Sequence, residues 1–361
     1  MAKSKQVPVF DGHNDTLLHL TFTRPGSEES FFSGAEGQLD LPRAKTGGLA
    51  GGFFAAFTRT PGWDWKVHWR KMGPQGPVES GGFDVPMARP VHQQKAINSV
   101  LAMMGTLFRL ERMSEGEVEV VRTVQELRSA MDRGVLAAVA HMEGAEALTK
   151  DLSGLEMLYQ AGLRSLGIVW SRSNIFGHGV PFTFPDSPDL GPGLTPAGKD
   201  LVRACNDMGI MVDLSHLNEK GFWDVASLSK APLVATHSAA HALCHSPRNL
   251  SDDQLKAIGE SGGIVGVNFA RNFVRKDGLE HKRTSVREIA KHVVYIAEKI
   301  GVDHVGLGSD FDGAEMPQDM KDVAGLPKLL DALRKVGVHG KDLRKVAHRN
   351  WVRVLEATWK G

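Results

Sequence analysis

Eight short apolar runs are spread along the whole chain, at residues 7 to 11, 48 to 57, 135 to 142, 163 to 170, 209 to 215, 232 to 236, 262 to 268 and 304 to 309. Most are nearly continuous stretches of Val, Ile, Leu, Ala and Gly without polar alternation, which marks strands covered on both faces, as in a parallel sheet. Between them the segments Val91 to Arg112, Thr123 to Arg133, Thr195 to Met208, Ser251 to Glu260 and Ser285 to Ile300 read as helices. Thr195-Pro196 and Ser251-Asp252-Asp253 are natural helix starts, and Gly209 and Gly301 natural stops. Eight strand and helix alternations in one chain favour a closed (β/α)8 TIM barrel over an open doubly wound sheet. A length of 361 residues suits one such domain over 1–361 with insertions. The Gly/Pro/Trp-rich stretch at about 58–91 lacks periodicity and reads as an active-site excursion. Lys341 to Trp359 reads as a closing helix on the barrel exterior, with Trp351 and Trp359 in the core.

Composition narrows the function classes. Hydrophobic residues make up 42% of the chain and charged residues 24%, ordinary for a globular protein with a sizeable core. The net charge is +1, and no Lys/Arg block or basic stripe tracks phosphates, so nucleic acid is not an expected partner. The polar start Met1 to Gln6 runs straight into the first strand, and no run reaches the roughly 18 apolar residues a membrane span needs. Cys205 and Cys244 are too few for a disulfide framework or a cysteine zinc site, and a reducing, cytoplasmic location fits. No dinucleotide fingerprint, Walker A loop, H-E-x-x-H or G-x-S-x-G occurs.

The chemistry gathers at the ends of the apolar runs. His13 and Asp15 form an H-x-D pair closing the first run, and residues two apart on an extended backbone face the same way. Glu143, His216, His237 and Asp310 close further runs, and in such a barrel the strand ends all face one mouth. A single strand-end histidine is more often a hydrogen-bonded structural residue; their joint occurrence carries the argument. Three histidines with carboxylates suit Zn²⁺, with Mn²⁺ or another divalent ion left open. Glu143, placed between two ligand pairs, could bridge two ions that share a hydroxide and clamp the oxygen charged during attack on a carbonyl. Asp11 and Asp213 are the likeliest false leads, with Asp213 suited to orienting a ligand from behind. His141, one layer deeper than Glu143, reads as structural.

The chain resembles the membrane (renal) dipeptidases, binuclear zinc peptidases among the amidohydrolase-like barrels. The matching segments are Asp11-Gly-His-Asn-Asp15, Met142-Glu-Gly144, Val212-Asp-Leu-Ser-His216, Thr236-His-Ser238, Pro247-Arg-Asn-Leu250 and Gly308-Ser-Asp-Phe-Asp-Gly313, in family order over nearly the whole chain. The resemblance implies one zinc on His13 and Asp15, a second on His216 and His237, and Glu143 bridging both. It implies that Arg248 grips the free carboxylate of a dipeptide, for which a guanidinium is apt. Asp310 would take a proton from the attacking water and pass it to the leaving amine, with Asp312 the competing choice. Animal members carry a substrate-contacting histidine after the fourth strand; here Trp170 stands near that place, as in bacterial-type members, and Trp170 and Asn174 are candidates for the pocket lining. The implied activity is hydrolysis of small dipeptides, with tolerance of a D-residue at the C-terminal side. Deacylation of N-acyl amino acids and a non-catalytic metal- or peptide-binding role stay as alternatives. The stretch from Arg59 to Pro90 is open to shaping specificity or to a homodimer contact.

Overall fold

Strands that are buried on both faces must pair on both edges, and here they do so by closing on themselves. In a computed structural model, residues 6–23, 28–34, 37–63 and 82–360 are described. The strands are β1 (Val9–Asn14), β2 (Leu49–Phe57), β3 (Val118–Val120), β4 (Leu136–Glu143), β5 (Leu163–Gly167), β6 (Met211–Asp213), β7 (Val234–Ser238), β8 (Ile264–Asn268) and β9 (Val305–Gly308). All pair in parallel, in the order β2-β1-β9-β8-β7-β6-β5-β4-β3. The ring closes where β2 meets β4, from Gly51 opposite Ala137 to Phe57 opposite Glu143. Eight strands thus form the barrel.

The ninth strand is the departure from the expected eight. β3 pairs only with the first residues of β4, Val118 opposite Leu136 to Val120 opposite Ala138, on the flank that β5 occupies further along. Three residues are too few to show a period in sequence. The helices follow the caps read from sequence. Thr123 and Ser251 each form a capping box, with Glu126 and Gln254 as reciprocal partners, and the Thr195 hydroxyl accepts the Gly198 N–H at 3.1 Å. Gly209 ends its helix in the left-handed region at φ 77°. Of the aperiodic stretch at 58–91, residues 64–81 lie outside the described residues.

The C-terminal segment packs across the strands' N-terminal ends, where Trp351, Val354, Leu355 and Trp359 are buried with Phe10, Met211, Val234 and Ile264. Helix Gly340–Arg344 passes through a π-helical turn, Lys345–Arg349, into helix Asn350–Thr358. Trp351 is fully buried, with its ring 6.0 Å from Phe10 and 5.4 Å from Phe53, and its indole N–H donates to the Leu307 carbonyl at 3.1 Å. Space for the indole comes from missing side chains: a Cβ on Gly12, Gly266 or Gly306 would lie 2.6, 2.8 or 2.6 Å from it. Trp351→Ala should cost about 3–5 kcal/mol by leaving that interior void. Urea unfolding of the variant measures it, and a loss under about 1 kcal/mol would show the plug to be dispensable.

Candidate metal centre

The strand ends bring six candidate residues to one place. His13 is the fifth residue of β1 and Asp15 follows the strand; Glu143 ends β4, and His237 lies within β7. His216 stands three residues past β6 and Asp310 two past β9, both in the left-handed region, at φ 67° and 64°. That conformation is costly for non-glycine residues and is held here by backbone bonds. The Asp310 N–H donates to the His13 carbonyl at 2.9 Å, and the Val180 N–H to that of His216 at 2.9 Å.

Glu143 Oε1 is the hub. It lies 3.1 Å from His216 Nε2, 3.4 Å from His237 Nε2 and 3.9 Å from His13 Nε2. His13 Nε2 is 3.7 Å from Asp15 Oδ2, and the His216 and His237 Nε2 atoms are 3.1 Å apart. Candidate ligand atoms of His13, Glu143 and His237 lie within 4.8 Å of one another, as do those of His13, Asp15 and Asp310.

The surroundings aim these atoms. Thr236 donates its hydroxyl to Asp213 Oδ2 at 2.6 Å and lies 2.8 Å from His237 Nδ1, so its oxygen accepts the Nδ1 proton and leaves the Nε2 lone pair facing Glu143. Ser171 Oγ stands 2.8 Å from His216 Nδ1. Asp213 therefore takes the orienting place expected of it. Asp11 accepts the backbone and side-chain protons of Ser309, each at 2.7 Å, and stitches β1 to the loop after β9. His141, fully buried with Nδ1 2.8 Å from Ser165 Oγ, sits edge-on to His13 at 5.5 Å, and its Nε2, 3.8 Å from Asp213 Oδ2, has no hydrogen-bond partner among the described residues.

Electrostatics and unpaired atoms both call for a cation. Burial holds His216 and His237 well below the usual histidine range, as neutral imidazoles able to ligate. Burial also depresses His13, but Glu143, Asp15 and Asp310 outweigh it and push it up to about 10. Glu143 and Asp310 are raised by burial, with His13 opposing. One imidazole, with the Arg248 guanidinium nearby, thus faces three carboxylates, two of which burial drives towards the protonated form, and a divalent ion would take the place of such a proton. Both ring nitrogens of His13 and Oδ1 of Asp15 are buried without a hydrogen-bond partner among the described residues. Such orphaned atoms are rare; a cation held here would account for His13 Nε2, which faces Asp15 and Glu143, and for Asp15 Oδ1, but not for Nδ1 on the other side of the same ring.

Above the hub opens a cavity of about 400 Å³, reaching Asp15, Glu143, His216 and Asp310. Trp170 stands on its wall with Phe57, Trp63, Phe182 and Phe273, as expected of a pocket residue. Asn174 does not. Its amide donates to the Ile168 carbonyl at 2.8 Å and its oxygen accepts the Phe176 and Gly177 N–H groups, so it closes a turn away from the cavity. Arg248 is buried behind His237, donating to that residue's carbonyl at 3.0 Å with the Phe273 ring 5.4 Å from its guanidinium; it does not line the cavity, and its Nε has no partner. Asp312 is engaged at both oxygens, by the Gln38 N–H at 2.6 Å and the Thr16 hydroxyl at 2.8 Å. Asn268 was not foreseen: it ends β8 and donates to Asp310 Oδ2 at 3.1 Å. The strand-end rule that picks out the ligands picks it out too. His19, a turn beyond Asp15 on the cavity wall, carried no such signal.

Over residues 2–360 the chain matches the family model described as membrane dipeptidase, peptidase family M19. A solved metallo peptidase from Rhodobacter sphaeroides, liganded with a phosphinate mimic of the dipeptide L-Ala-D-Ala, superposes with TM-score 0.94 at 49% identity, covering 98% of this chain and 100% of that one. Dipeptidase AC, a metallo peptidase of family M19, gives 0.93 at 48% identity, covering 99% of this chain and 100% of that one. The dipeptidase tcpJ of Claviceps purpurea (strain 20.1) is 28% identical over 351 residues, 96% of this chain and 76% of that protein.

Proposed function

The chain belongs to the membrane dipeptidase family, peptidase family M19, and on that premise we propose that it hydrolyses the single peptide bond of small dipeptides with two zinc ions. The observation that carries this reading is the convergence of three imidazole Nε2 atoms on Glu143 Oε1 within 3.9 Å, with His13 and Asp15 orphaned beside it. His13 and Asp15 would hold one ion, His216 and His237 the other, and Glu143 both. When bound, such ions supply an acidified water and polarise the scissile carbonyl.

The protein's own groups do the remaining work. Asp310, anchored by Asn268 at 3.1 Å and raised by burial, is suited to accept a proton from the attacking water and return it to the departing amine. Arg248, buried behind His237 and off the cavity wall, would supply positive charge from behind that residue for the substrate's free carboxylate. Trp170 and its neighbouring rings shape the space for side chains. Acceptance of a D-residue at the C-terminal side is part of the proposal, supported by the L-Ala-D-Ala mimic bound to the R. sphaeroides peptidase. Among the described residues no helix is long and apolar enough to cross a membrane. Cys205 and Cys244 are buried free thiols, pushed up to about 12 by burial, which suits the cytoplasmic location this reading includes.

Chelated protein assayed before and after zinc loading, on L,L and L,D dipeptides beside N-acetyl amino acids, tests the proposal. Dipeptide turnover that vanishes on chelation and returns with zinc is expected. Turnover of the N-acetyl compounds in preference would make the chain a deacylase, and zinc binding without any turnover would leave a binding protein.

A further inference from the structure

Arg172 is one of the largest fully buried side chains among the described residues. Its Nε donates to Glu146 Oε1 at 2.7 Å and its Nη1 to Thr60 Oγ1 at 3.2 Å. One guanidinium therefore ties together the loops that follow β2, β4 and β5. Its central carbon lies 5.2 Å from the centroid of Phe57 and 5.3 Å from that of Trp170, within reach of both π faces. Those rings are 5.0 Å apart, and Trp170 continues to Trp63 at 5.2 Å and Phe182 at 5.5 Å. All four rings line the cavity, and Arg172 does not.

Stability alone is a poor reason for this pair. Nη2 of Arg172 and Oε2 of Glu146 are buried without partners among the described residues, and apolar residues in place of a buried ion pair are often neutral or better for folding. A planar cation fixed by two loops does something an apolar residue cannot: it gives Phe57 and Trp170 a flat, charged backing that sets their tilt. We propose that Arg172 is a positioning residue for the aromatic wall, and that through it the pocket selects dipeptides with a bulky apolar or aromatic side chain. The proposal rests on the dipeptidase reading, with the wall as the surface that the side chain meets.

The test uses full-length, zinc-loaded protein with L-Phe-L-Ala and L-Ala-L-Ala as substrates. Wild type comes first: failure to cleave either would sink the dipeptidase reading itself. The double variant Glu146→Leu with Arg172→Met removes both charges together, so no buried ion is left alone. It should keep the wild-type melting temperature and zinc content. Its KM for L-Phe-L-Ala should rise at least about tenfold, that for L-Ala-L-Ala less than about threefold, with kcat for both within about threefold. A purely structural pair would leave the ratio of the two KM values unchanged, and that result overturns the proposal. Should the double variant fail to accumulate, Arg172→Lys carries the test, because it keeps charge and loses the fork. The same selective rise in KM is expected, and wild-type KM values on both substrates would overturn it.

Discussion

Asp310→Asn should keep its full complement of metal and lose about a thousandfold in kcat, the size of effect general acid–base groups supply. Nothing in the backbone resists the change. Position 310 sits at φ 64°, a conformation asparagine tolerates well, and its N–H still donates to the His13 carbonyl. An asparagine oxygen can still accept from Asn268, so the side chain stays where it was and only the capacity to take up and release a proton is gone. The competing carboxylate makes the comparison sharp. Asp312 is held by Gln38 and Thr16 at 2.6 and 2.8 Å, so Asp312→Asn should loosen the Gln38 loop and raise KM more than it lowers kcat. Steady-state kinetics beside elemental metal analysis reads both variants. Full activity in Asp310→Asn would remove the proton-transfer role, and loss of an ion would turn Asp310 into a ligand, which its place within 4.8 Å of His13 and Asp15 makes a live alternative.

Much of this was legible because the relevant signals are local. Continuous apolar runs mark barrel strands, and the residue that ends such a run arrives at the mouth whatever the rest of the chain does. His13, Asp15, Glu143, His216, His237 and Asp310 could therefore be found without knowing which strands are neighbours. Caps were legible for the same reason, since Thr195 and Ser251 act within one turn. Features that depend on complementarity between distant segments were not. Trp351 enters the barrel because Gly12, Gly266 and Gly306, on three different strands, vacate the space, and no window of sequence contains all four. Arg248 shows the limit from another side: its motif marks a guanidinium near the site, yet only packing reveals that Phe273 lies against it and that it stands off the cavity wall. Asn174 and Trp170 occupy one loop, and whether a side chain turns to the cavity or back to its own backbone is decided by the loop's path, here by the bond to Ile168.

Glu143→Gln should abolish turnover by a different route, the loss of both ions. The three Nε2 atoms at 3.1, 3.4 and 3.9 Å all address Oε1, and an amide there brings either a neutral oxygen or an N–H donor to face lone pairs meant for a cation. The bridging charge is lost whichever way the amide turns. Stability should move in the opposite direction. Glu143 is raised well above the usual carboxylate range by burial, so in metal-free protein it binds its proton more tightly than the unfolded chain does. Between the unfolded and folded pKa values the stability contributed by such a group falls as pH rises, and it stays lost above them. A neutral glutamine removes that penalty, and the metal-free variant should melt no lower than metal-free wild type at neutral pH. Zinc separates the two proteins. Wild type should be stabilised by about 4 kcal/mol at a zinc concentration roughly a thousand times Kd, and the variant should show no zinc-dependent shift. Thermal melts with and without zinc, beside metal counts, settle the matter. A Glu143→Gln variant that still held two ions would take Glu143 out of the bridging position and with it the shared centre on which the proposed hydrolysis depends.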